Sequence, residues 1–184
     1  MTLDWLPEGT VTSAPGFLAA GIPCGIKAGG TLDLALVFSE RPASAAGVFT
    51  TNRFAAAPVV YDRALLSADP SGVRAVVINS GCANACTGEE GLADAREMGA
   101  LAADAVGCSA QAVLVMSTGV IGVRLPMQRL RAGIPLAAES LSAHGGLEAA
   151  RAIMTTDTRP KTCAVRAEVL GYGVTVAGMA KGAG

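Results

Sequence analysis

Apolar and polar positions alternate most clearly over residues 31–39, where Leu32, Leu34, Leu36 and Phe38 share one parity and Thr31, Asp33, Ala35 and Val37 the other. A period of two predicts a strand with a strongly apolar face. Residues 47–51 and 58–62 read as two more short strands, and residues 73–79, β-branched and apolar, as a central one. Over residues 89–106 the pattern changes to Ala, Leu, Met and Glu, acidic in the first turn and with Gly107 just past the end, which is the polarity of a helix. Residues 112–117 predict a further buried strand. Residues 126–132 predict a short helix with proline near its first turn, and residues 146–154 another. Residues 162–170 and 173–179 predict a hairpin around Gly171-Tyr172-Gly173.

Polar loops of small residues stand at three of these element ends: residues 79–88, 117–122 and 154–158. Loops at element ends are where function concentrates, although any one of them alone reads as an ordinary turn. A fourth such segment, Gly178-Met-Ala-Lys-Gly-Ala-Gly184, follows the last predicted strand and displays Lys181 among glycines. Backbone of that kind can approach a ligand closely. The run has no capping pattern, so it reads as the approach to a site whose chemistry is completed by residues beyond this chain.

Composition narrows the picture. The chain has 184 residues, 51% hydrophobic and 4% aromatic, so its core must be built from Ala, Val, Leu and Ile. This suits one domain. A net charge of −1, from 14 basic and 15 acidic residues well mixed along the chain, offers no basic face for nucleic acid. No apolar run is long enough for a bilayer span, and Met1-Thr-Leu-Asp-Trp5 is unlike a signal peptide, so a cytoplasmic location is expected. The five cysteines, odd in number and scattered, read as buried free thiols. Cys82 and Cys86 make an isolated C-x3-C, and with a single histidine, His144, neither a zinc site nor any other cofactor is expected.

Among candidate chemistries, Ser117-Thr118-Gly119 is the most suggestive, because a hydroxyl beside a glycine amide at a strand end supplies two short hydrogen-bond donors. Such donors, fixed where negative charge develops in acyl transfer, contribute on the order of 3 kcal/mol each. The same tripeptide is also a common turn. His144 reads as a loop residue, not the base of a triad. Gly173 to Gly178 has P-loop glycine spacing, but Met179 and Ala180 replace the required Lys-Ser/Thr.

Taken together, residues 79–88, 117–122, 152–161 and 178–184, in that order and with Gly25-Ile-Lys27 and Leu32-Asp-Leu-Ala-Leu36 before them, resemble the signature blocks of the ornithine acetyltransferase family. Cys82 departs from the asparagine that many members carry there. The resemblance implies a single α-chain domain over residues 1–184. Its fold would be a layered α/β sandwich with helices outside packed β-sheets, completed by a β chain and shared with self-processing aminopeptidases. The precursor would cut itself a few residues past this sequence, before a threonine that heads the β chain and serves as nucleophile.

The implied reaction takes acetyl from N-acetylornithine, with acetyl-CoA as an alternative donor, and passes it to glutamate in arginine biosynthesis. Carried over residue by residue, Thr118 and Gly119 match the oxyanion hole, while Thr155 and Lys181 match substrate-binding positions. An α2β2 heterotetramer is the implied assembly. For Lys181 the chemistry agrees, since both substrates bear carboxylates that an ammonium can hold. Thr156, Asp157 and Thr158 fit structural roles equally well. A hydrolytic self-processing aminopeptidase, a paralogous acetyltransferase of secondary metabolism and a non-catalytic scaffolding subunit stand as alternatives.

Overall fold

The computed structural model describes residues 3–182. Its strands are β1 (Leu3–Leu6), β2 (Phe17–Ile22), β3 (Leu34–Ala43), β4 (Val73–Cys82), β5 (Val113–Val120), β6 (Lys161–Val169) and β7 (Tyr172–Ala180). The α-helices are α1 (Ala57–Ala68), α2 (Gly88–Val106), α3 (Met127–Glu139) and α4 (Gly146–Ala152). One sheet has the order β2-β3-β4-β5, antiparallel except for the parallel pair β4 and β5; the other is antiparallel β1-β6-β7. Among the described residues no helix is long and apolar enough to cross a membrane.

The four-stranded sheet is buried on both faces at its centre, which is why β3 and β4 read as nearly continuous apolar runs. Leu34, Leu36, Val77 and Val115 pack against Met98 and Ala102 of α2 and Leu130 and Ile134 of α3. On the opposite face Ala19, Ala35 and Ile78 meet Ala149, Ala152 and Ile153 of α4 and the loop behind it. Small side chains at these contacts let helix and strand backbones come close, as the scarcity of aromatic residues requires.

Several elements differ from the sequence pattern. Residues 58–62 open helix α1 instead of forming a strand: Pro58 sits in the first turn, where a missing N–H costs nothing, and the run continues to Ala68. Residues 47–51 carry no regular structure. Helix α3 runs past residue 132 to Glu139 through Pro135, because Ile134 and Ala137 are fully buried and tertiary packing outweighs one lost backbone bond. Strands β1 and β2 had no clear signature. The hairpin turn lies at Leu170-Gly171, with Val169 opposite Tyr172. Both turn residues have positive φ, 52° and 80°, the type I′ geometry that suits the twist of a two-residue hairpin. All five cysteines are free; Cys82 is buried, but Cys86 and Cys163 are exposed and Cys24 and Cys108 lie between, so the reading of buried thiols holds for Cys82 only.

Candidate active site

Strands β4 and β5 run parallel, so both deliver their C-terminal residues to the same end of the sheet. Asn79 lies opposite Ser117, Ser80 opposite Thr118 and Gly81 opposite Gly119, and the register slips at Cys82. Gly119 has φ of 136°. A Cβ there would lie 2.3 Å from the Gly81 carbonyl carbon and 2.5 Å from the Cys82 nitrogen. Only glycine satisfies both the conformation and the close approach.

Lys181, just past β7, reaches this strand end. Its Nζ donates to Thr118 Oγ1 at 2.7 Å and to Thr155 Oγ1 at 3.0 Å. Three segments distant in sequence therefore meet at one ammonium, and Gly119 follows Thr118 directly in the chain. With a lone pair of Thr118 Oγ1 engaged by the cation, the hydroxyl's own hydrogen is free to be donated elsewhere, and polarisation makes it a better donor. All four residues singled out from the sequence are brought together. His144 stands apart in an exposed turn before α4, donating its backbone N–H to Ser142 Oγ.

The loop carrying Thr155 is tied to the sheet from behind. Ser80 Oγ donates to the Ala152 carbonyl at 2.5 Å, and Lys27 Nζ donates to the Met154 carbonyl at 3.0 Å. Burial lowers the Lys27 pKa, an effect that the nearby Asp33 carboxylate opposes. Asp33 is itself fully buried and accepts the backbone N–H groups of Cys24 and Lys27. Thus the early segments around Lys27 and Asp33 serve the site by holding backbone, without meeting Lys181.

A cavity of about 630 Å³ opens beside the cluster, with Val37, Val76 and Ile78 on its apolar wall and Thr118 and Lys181 at its polar end. An apolar hollow with a few converging polar groups is the usual form of a small-molecule site. Sequence reasoning missed one lining residue, Asp62 of α1. It accepts the Val115 backbone N–H at 2.9 Å, two residues before Ser117, and burial pushes its carboxyl up to about 7. An acidic residue inside an apolar run was the available signal.

Comparison with known proteins places this geometry in context. Residues 18–184 match the family model described as the ArgJ family. The chain is 53% identical over 184 residues to the arginine biosynthesis bifunctional protein ArgJ of Symbiobacterium thermophilum, covering 99% of this chain and 45% of that protein. It is 50% identical over 182 residues to the protein of the same name from Synechocystis, covering 98% and 44%. The chain thus spans a little under half the length of these curated relatives. Among solved structures, ArgJ from Bacillus halodurans superposes with a TM-score of 0.92 at 40% identity, covering 100% of this chain and 95% of that one. Ornithine acetyltransferase from Mycobacterium tuberculosis, solved in complex with ornithine, gives 0.92 at 47% identity, covering 100% and 96%. The mixed α/β architecture with two sheets agrees with these structures.

Proposed function

The chain belongs to the ArgJ family, and on that footing we propose that it is the α chain of a glutamate N-acetyltransferase that takes its acetyl group from N-acetylornithine. The observation that carries the proposal is the Lys181 ammonium bridging Thr118 and Thr155 beside Gly119. It supports the reading because a hydroxyl that could serve a developing oxyanion stands next to a cation suited to a carboxylated substrate.

In this reading the nucleophile is a threonine at the head of a β chain derived from the same precursor. Its freed α-amine takes the proton of its own hydroxyl, so no histidine is needed. The hydroxyl oxygen attacks the acetyl carbonyl of N-acetylornithine; the amide C–N bond breaks, ornithine leaves with the transferred proton, and acetyl-threonine remains. The glutamate amine then attacks that ester and regenerates the threonine. In both halves negative charge gathers on the acetyl oxygen, where the Thr118 hydroxyl and the Gly119 N–H stabilise it. Thr155 and Lys181 hold the substrate, the latter as a point charge on a carboxylate. Acetyl-CoA serves as an alternative donor to the same threonine.

The β chain also completes the layered fold, and two αβ units assemble as α2β2. Supporting this, Trp5, Tyr172 and Val176 on the three-stranded sheet are exposed, more apolar surface than an isolated sheet usually leaves to water. The test is intact mass spectrometry of the full-length protein after exposure to N-acetylornithine without glutamate. One acetyl group should appear on a second chain with N-terminal threonine and vanish when glutamate is added. An unmodified single chain would overturn the reading.

A further inference from the structure

Lys181 can bridge Thr118 and Thr155 only if the backbone that carries it is held, and β7 ends at Ala180, before the lysine. The next residue, Gly182, is held from both sides. Its N–H donates to Asp157 Oδ1 at 2.7 Å, and its carbonyl accepts from Lys161 Nζ at 2.7 Å. Lys161 Nζ is itself ion-paired with Asp157 Oδ1, so one closed ring joins carboxylate, ammonium and the glycine backbone. Lys161 reaches Gly182 because it lies opposite Ala180 in the β6–β7 ladder. The second Asp157 oxygen, Oδ2, accepts the Thr155 N–H at 3.3 Å. Gly182 has φ of 135°, a conformation that requires glycine.

We propose that Asp157 and Lys161 are positioning residues: a clamp on Gly182 and Thr155 that sets where the Lys181 ammonium lies. The Asp157 side chain has no exposed surface, and both of its oxygens are occupied by donors. It cannot therefore bind substrate directly. Its hydrogen bond from Lys161 and that from the Gly182 N–H hold the carboxyl well below the usual carboxylate range. The backbone next to Lys181 and the Thr155 that its ammonium meets are thereby held by one carboxylate. The role in catalysis rests on the acetyltransferase reading; the clamp itself does not.

The test uses the full-length protein carrying Lys161→Met, with Asp157→Asn as the second variant and Lys161→Arg as the conservative one. Amide exchange at Gly182, read by fragmentation mass spectrometry, should quicken about tenfold or more in the first two, as expected when a local hydrogen-bonded closure is lost. Acetyl transfer should lose about tenfold in kcat/KM, mainly through KM, on the scale of one charge-assisted hydrogen bond. Lys161→Arg, which keeps a cation and its donors, should stay within about threefold of wild type in both readouts. Unchanged Gly182 exchange overturns the clamp. Quickened exchange with unchanged kcat/KM overturns its positioning role. A wild-type protein that transfers no acetyl sinks the acetyltransferase reading, while the exchange measurement still decides the clamp.

Discussion

Thr118 faces two ways: it accepts a hydrogen bond from Lys181 and keeps a hydroxyl hydrogen for the cavity. Thr118→Ala removes that donor, and acetyl transfer should fall by roughly ten- to a thousandfold, the scale for one oxyanion-hole group. Unchanged turnover would remove Thr118 from the mechanism. Asp62 offers a second residue-level test. Its folded pKa, about 7, lies above the ordinary 3.8, so the folded state binds this proton more tightly than the unfolded chain. The group's contribution to stability is fully present below its unfolded pKa and is lost as pH rises through its folded one. Asp62→Asn can still accept the Val115 N–H without burying a charge. The full-length variant should therefore lose less thermal stability than wild type between about pH 5 and 8; equal losses would show that the carboxyl is not buried as described. Thr118, Gly119 and Lys181 were legible as a hydroxyl, a glycine amide and a lysine at element ends, whereas Thr155 was singled out only through the family resemblance. Asp62 was not, because it lies in an apolar run whose helical period only becomes clear once Leu65 and Leu66 are counted with it.

At the scale of elements, β3, β4 and β5 were legible from apolar runs whose Leu34, Leu36, Val77, Val113 and Val115 are fully buried. Strand β2 was not, since Phe-Leu-Ala-Ala-Gly-Ile has little β preference of its own. It is fixed from outside by the β3 ladder and by two backbone bonds, each 3.0 Å, between Ala19 and Ser142. The β6–β7 hairpin was expected, but its turn was misplaced toward the glycine pair around Tyr172, because Leu170 is an unusual residue at positive φ. This gives an element-scale test. Leu170 is 93% exposed, so Leu170→Asn gives up little burial while supplying the Asn-Gly pair that a type I′ turn prefers. It should stabilise the protein by up to about 1 kcal/mol, the usual penalty of a left-handed side-chain residue. A lowered thermal midpoint would contradict the turn geometry.

For the whole molecule, the mixed α/β class was implied by the family resemblance, and the strand partners within the two sheets could not be read from the sequence pattern. Residues of β1 pair with residues of β6, Leu3 with Ala167 and Leu6 with Ala164, across nearly the full sequence, and local periodicity carries no information about such partners. Beyond the end of β7, Lys181 meets Thr118 at the end of β5 and Thr155. Convergence of those segments on one ammonium underlies the proposal of acetyl transfer. The most direct measurement incubates the full-length protein with N-acetylornithine carrying a labelled acetyl group and with glutamate. Labelled N-acetylglutamate and free ornithine should appear in equal amounts. Labelled acetate and ornithine without N-acetylglutamate would contradict the account and make the protein a hydrolase.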